Sequence, residues 1–329
     1  MIVLYEEKYE FEWDEFVLKE SINGNFLQTR NFLNYHEKGK YKDASLLFLK
    51  DEKIAAVLPA NEIENGKILI SHQGSTFGGL VVGKQFSSTQ NYNWIFEEMM
   101  AYFQVKGYER IEIKMPHLLY RPEETKNELL DYYFQLNGFT NRGEVGFYIN
   151  LTALQDGYEN NFEKLKKRKL KKAINSNLSF REIKTDKEVE DFFKVLENNM
   201  LKFKTIPVHT FEEILDLKNR RLKDVISFYG VYIENKLIAG SMVFNFCSGK
   251  VFHTQYLASR QDMLDYCPNE FLYANLIETA RTQGYTYLSF GTATLNHGKV
   301  YNESLGLYKE GFNTDTYVNR TYIYKNTGF

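Results

Sequence analysis

The chain is poor in the residues that fix a backbone from outside its own packing: 329 residues include 2 cysteines and 5 prolines. Cys247 and Cys267 have no Cys-x-x-Cys partner, and the 6 histidines are scattered singly. A zinc centre needs about four convergent Cys, His or carboxylate ligands. The spacing therefore supports no metal site, and the two thiols read as small apolar side chains in a reducing compartment. So few prolines exclude a Pro-rich linker. No apolar run approaches the ~18–20 residues that cross a bilayer. The opening "MIVLYEEKYEFEWDEF" lacks the basic and apolar regions of a secretory leader. A cytoplasmic protein without a transmembrane segment is the expectation. Gly-x-Ser-x-Gly, His-Glu-x-x-His and a reactive-cysteine flank are all missing, so covalent catalysis has no support. Direct transfer by positioning and proton shuttling would need none of them.

Aromatic residues are plentiful, with 24 Tyr and 26 Phe, which favours sheet-rich domains. The length suits two domains. The chain also repeats itself. "SLLFLKDEKIAAVLPA" (Ser45–Ala60) is similar to "SFYGVYIENKLIAGSMVF" (Ser227–Phe244), each a hairpin pattern with a polar turn before Lys53 or Lys236. Downstream, "NWIFEEMMAYFQVKGYERIEIKM" (Asn93–Met115) parallels "NEFLYANLIETARTQGYTYLSFG" (Asn269–Gly291). Ile95, Met99, Tyr102 and Phe103 share one helical face, as do Leu272, Leu276 and Ala280. Gly107 and Gly284 end the helices, where a left-handed C-cap costs glycine nothing. The spacing between equivalent positions is nearly constant, which predicts two copies of one mixed α/β domain.

Four stretches carry candidate chemistry. "GGLVVGKQ" (Gly78–Gln85) matches G-x-x-x-x-G-K, but Gln85 replaces the magnesium-binding hydroxyl and the context is a strand. "SHQGSTFGG" (Ser71–Gly79) places His72 and Ser75 among glycines, fitting either a ligand loop or a β-bulge. "SRQDMLDYCPNE" (Ser259–Glu270) leads into a helix start at which Arg260 and Asn269 could meet an anion, although every helix start has free N–H donors. "NFEKLKKRKLKKAI" (Asn161–Ile174) sets seven cations against Glu163 alone, in a chain of formal charge −2. If helical, it has a stripe of Phe162, Leu165, Leu170, Ala173 and Ile174. Lys164, Lys167, Arg168 and Lys171 share the wet face. A solvated face is one reading, and an anion site is favoured because the charge is one-signed. The remainder of the chain has no second basic stripe, which argues against DNA as a partner.

Taken in order, "KLKKRKLKKA", "QYLAS", "GYTYLSFGTA" and "ESLGLYKEGF" (Glu303–Phe312) resemble the Fem family. These are aminoacyl-tRNA-dependent peptidyltransferases that build peptidoglycan cross-bridges, within the FemAB-like acyltransferases of the GNAT superfamily. "FLQTRNFL" and "ISHQGSTFGGLVV" are similar to the family's first domain. The resemblance implies two tandem GNAT-like domains, 1–150 and 151–329, with the last strand (316–325) returning to complete the first. It implies an N-acyltransferase that moves an acyl or aminoacyl group onto an amino group of a small or cell-envelope acceptor, such as a peptidoglycan precursor. It places Lys309 and Tyr256 at the transfer centre, and Lys166, Lys167 and Arg168 in the cleft on the anionic part of a substrate. Asp262 and Glu303 are then candidate bases. The coiled-coil arm of some members is missing, Asn34, Tyr35 and His36 stand where members carry Lys, and the Q/R-x-x-G-x-G/A loop of acetyl-CoA enzymes is absent. The donor thus stays open between acyl-CoA and aminoacyl-tRNA, with no metal. The alternative is a non-catalytic GNAT-fold module that binds a pyrophosphate-bearing ligand.

Overall fold

A computed structural model describes residues 1–122, 127–202 and 204–326. The chain forms two compact units, Met1–Glu144 together with the segment from Val318 onward, and Val145–Tyr317. The sequence puts the boundary at 150/151. The difference arises because two continuous strands, Thr140–Asn150 (β8) and Asp315–Lys325 (β14), carry the chain from one unit to the other with no linker. The last strand bonds to Arg110–Lys114, so Thr321 faces Lys114 and Tyr322 faces Ile113.

The first unit holds Ile2–Leu4 (β1), Leu46–Lys50 (β2), Lys53–Leu58 (β3), Asn61–Ile63 (β4), Ile68–Ile70 (β5), Val81–Val82 (β6) and Arg110–Lys114 (β7). One sheet runs β1-β2-β3-β6, and a second set runs β4-β5-β7-β14. The helix Thr89–Lys106 (α1) starts on the Ser88 hydroxyl and ends at Gly107 with φ 70°. Its Ile95, Met99 and Phe103 are buried, as their i, i+4, i+8 spacing predicts. A second helix, Asn127–Leu136 (α2), precedes β8.

The second unit opens with the basic helix Lys164–Ile174 (α3), then Ser179–Glu182 (β9) and Asp186–Leu201 (α4). Ile226–Ile233 (β10), Lys236–Phe246 (β11) and Val251–Ser259 (β12) form an antiparallel meander. Pro268–Thr282 (α5) crosses over to Tyr287–Thr292 (β13), which runs parallel to β12. The strand order is β9-β10-β11-β12-β13-β8. Leu272, Leu276 and Ala280 of α5 are buried against this sheet, and Gly284 turns at φ 83°. Gly240 lets α4 approach, since a Cβ there would lie 2.6 Å from the Phe192 ring. Among the described residues no helix is long and apolar enough to cross a membrane.

Candidate active site

Strands β12 and β13 pair only over Val251–His253 and Tyr287–Ser289. Beyond that rung they part, because each is claimed by its other neighbour. β12 stays on β11 as far as Ser259, with a register shift that leaves Gln255 without a partner on β11. β13 stays on β8, shifting register between Ser289 and Gly291, where Gly291 has φ 70°. The inner edges from Thr254 and Phe290 onward share no ladder bonds, so an extended, amide-bearing ligand arm could bond between them.

Lys309 projects into this region from the helix Glu303–Glu310 (α6), which is capped by the Asn302 side chain accepting from Leu305 N. Only 4% of Lys309 is exposed. Its Nζ donates to the Thr292 carbonyl at 2.8 Å and lies 5.8 Å from the centre of the Phe147 ring. Among the described residues no carboxylate pairs with it, and burial pulls its pKa from 10.5 down to about 7. His253 is buried on the last shared rung; burial first, and the Lys309 charge second, lower its pKa to about 4. His253 Nδ1 lies 3.1 Å from Ser289 Oγ, which also accepts from Gly291 N at 3.2 Å and lies 3.4 Å from Tyr317 OH. Gly146 admits the Tyr317 ring, since a Cβ there would sit 2.2 Å from its Cζ.

Tyr256 lies further along β12. Its hydroxyl is 2.8 Å from His209 Nδ1 and receives the backbone N–H groups of Val208 and His209. Burial pushes its pKa up to about 12. The hydroxyl is therefore committed to the loop after α4, a use the sequence did not suggest.

The basic helix is as amphipathic as its sequence predicts, but with a different stripe. Phe162, Lys166, Leu170 and Ala173 are the buried positions, while Leu165 and Ile174 are exposed. Lys166 Nζ meets Glu270 Oε1 at 3.1 Å and stands 3.2 Å over the Tyr308 ring. Burial lowers its pKa to about 8 against the opposing pull of Glu270. Lys169 reaches the same carboxylate at 3.4 Å. Lys166 thus holds α3 to α5. Lys167 and Arg168, expected in a cleft, are exposed, with Lys167 Nζ donating to the Asn160 carbonyl. The physical reason is helical geometry: burying 162, 166, 170 and 173 turns 167 and 168 outward.

Arg260 makes two bonds to Asp262, at 2.7 and 3.2 Å, on the exposed loop before α5. Asn269 is in the first turn of α5, beside Glu270. His72 and Ser75 belong to the first unit. His72 is buried at φ 35°, accepts from Gly74 N on Nδ1, and burial lowers its pKa to about 4. Ser75 Oγ donates to the Phe77 carbonyl at 2.9 Å. These two side chains hold their own loop, and they share no unit with Lys309. His253, Ser289 and Glu270 were not singled out from the sequence. "VFHTQY" and "YLSF" read as buried strands in which a polar letter looks incidental.

This architecture, a meander joined through a helix to a parallel strand that splays from it, defines the class: an acyltransferase-type fold of the GNAT superfamily, FemAB-like in its tandem arrangement. Residues 161–299 match the family model of the acetyltransferase (GNAT) domain. FemX shares the fold at TM-score 0.67 and 12% identity, covering 98% of this chain and 96% of its own. L-PGS from Bacillus licheniformis follows at TM-score 0.63 and 11% identity, covering 98% and 92%. A tandem GNAT protein from the clavulanic acid biosynthesis pathway aligns at TM-score 0.58 and 8% identity, covering 99% and 98%. No curated protein matches the chain.

Proposed function

We propose that the chain is an N-acyltransferase that moves an acyl or aminoacyl group onto an amino group of a small or cell-envelope acceptor. One observation carries this reading: a buried lysine without a counter-ion at the point where two parallel strands part. The acceptor nitrogen attacks the carbonyl carbon of a thioester or ester, and the oxygen becomes an oxyanion. The C–S or C–O bond then breaks and the leaving atom takes a proton. An ammonium on Lys309 stabilises that oxyanion in a dry site, where one such donor is worth about 3–4 kcal/mol. With a pKa of about 7, the same group is half neutral at working pH and can receive a proton. Tyr256 supports the site by holding the α4 loop.

The donor is an acyl-CoA or an aminoacyl-tRNA. An aminoacyl ester is the better fit, because the start of α5 is filled by the chain's own Glu270, with Asp262 and Asp265 before it. Those carboxylates oppose a pyrophosphate. The relatives' names extend to both donors: one is a putative lysylphosphatidylglycerol synthetase and another is described without AcCoA.

The test is a transfer assay with acetyl-CoA and charged tRNA as donors, scored beside thermal shifts with each. Wild type should transfer from one donor, and Lys309→Met should lose about 100-fold or more. Transfer undiminished in Lys309→Met removes the assigned role. Absence of transfer and of any donor-induced shift removes the enzyme reading.

A further inference from the structure

Acylation of an amine that arrives as an ammonium releases two protons from nitrogen, one before attack and one as the amide forms. The leaving oxygen or sulfur takes one of them. The other must leave the site, and Lys309 accepts a single proton at a time. A second acceptor is thus required by stoichiometry, and the carboxylates suggested by the sequence do not supply it. Asp262 is exposed and tied to Arg260, and Glu303 is exposed at the start of α6.

We propose, on the basis of the acyltransferase reading above, that His253, Ser289 and Tyr317 form a relay that takes this second proton from Lys309. The three side chains are buried and follow one another at 3.1 Å and 3.4 Å across the rung where β12 and β13 part. Two glycines shape the line. Gly146 makes room for the tyrosine ring over β8, and the left-handed Gly291 directs its N–H onto Ser289 Oγ. The groups that face His253 are Ser289 on β13, Tyr317 on β14, Lys309 on α6, the Gln255 side chain on β12 and the Phe246 ring on β11 at 5.8 Å. No carboxylate is among these, so the imidazole stays neutral while Lys309 carries charge, the state in which it is ready to accept. Beyond Tyr317 stands Tyr148, with ring centres 6.2 Å apart, and Tyr148 senses the exposed Asp315. That side is the outlet. His253 acts through Lys309 and is a positioning and relay group, not one that touches the acyl carbon.

The test compares two nearly isosteric acceptors with the donor that supports wild-type transfer. Ethylamine is a cation at neutral pH and must shed two protons. Trifluoroethylamine is already neutral and sheds one, which the leaving group consumes. His253→Asn can still hydrogen bond with Ser289 but cannot take a proton at working pH. It should lose about tenfold or more with ethylamine, within the range of general base effects. With trifluoroethylamine it should stay within about twofold of wild type, and Tyr317→Phe should show the same split. Imidazole in solution should restore ethylamine transfer in His253→Asn. Equal losses with both amines mean a structural role and overturn the relay, as does an unchanged rate with both. If wild type transfers to neither amine from either donor, the enzyme reading fails and the relay falls with it.

Discussion

A lysine buried for chemistry should cost the fold stability, and Lys309→Met measures that cost. The side chain is 4% exposed and its pKa falls from 10.5 to about 7 on burial. That gap of about 3.5 units, at ~1.4 kcal/mol each, sets a ceiling of about 5 kcal/mol on the penalty. The lost bond to the Thr292 carbonyl returns about 1 kcal/mol, so a net gain of about 2–4 kcal/mol is expected for the methionine variant. For a unit of this size that is a rise in Tm of roughly 4–16 °C. The pH dependence fixes the cause. Between pH 7 and 10.5 the unfolded lysine binds a proton that the folded one has released, so wild-type stability rises with pH across that window. The penalty is fully present below about pH 7 and is relieved toward 10.5, so the variant's advantage should be largest near pH 6 and shrink by about half near pH 9. Thermal unfolding followed by circular dichroism at both values measures it. A variant less stable than wild type near pH 6, or an advantage that does not change with pH, refutes the assignment of a buried, unpaired ammonium.

Glu270→Leu strands Lys166 between α3 and α5 without its counter-ion, and should lower stability by about 3–5 kcal/mol in urea unfolding. The double variant Lys166→Met with Glu270→Leu should recover most of that loss, because both charges then leave the interior. Tyr256→Phe removes the hydroxyl that clasps Val208 and His209 and should cost about 1–3 kcal/mol. Amide exchange should rise first across Ile206–His209, and uniform exchange across β12 would contradict the clasp.

Periodicity and end signals were legible where a pattern is set by local backbone. The faces of α1 and α5 and the glycines at 107 and 284 stand where their spacing puts them. The hairpins before Lys53 and Lys236 do as well. The basic helix was legible as a helix but not in its partners. Counting apolar letters gives Leu165 and Ile174 to the stripe, whereas a lysine stem can lie there when a carboxylate meets its head. That carboxylate, Glu270, is 104 residues away in sequence, and nothing local announces it. His253 and Ser289 were invisible for a related reason. A central strand covered on both faces loses its alternation, so a polar residue on it carries no sign of which side it serves. Their meaning lies in the rung they share, which depends on pairing register.

The duplication then explains why the chemistry sits in one copy. Lys53 and Lys236 are 183 residues apart, while Gly107 and Gly284 are 177 apart, so six residues are extra in the first copy. The registers locate them. Asn61 pairs with Ile70 as Phe244 pairs with His253, and Ala56 pairs with Val82 as Ala239 pairs with Ser259. The six residues therefore fall between Ile70 and Val82, within the loop of His72 and Ser75. The shared rung of parallel strands is Ile70 with Glu112 in the first copy and His253 with Ser289 in the second. In the first copy the strand leaves the sheet at once, and Ser71 closes the opening by donating to Glu112 O and accepting from Lys114 N. The neighbouring cations there are neutralised, Lys114 by Glu144 and Arg142 by Glu112. In the second copy a single bulge at Gln255 keeps the strand in the sheet, the opening stays unbridged, and the lysine beside it has no carboxylate. One copy has closed its gap with its own side chains, and the other has kept a gap and left its cation unpaired, as a site that must receive a developing negative charge requires.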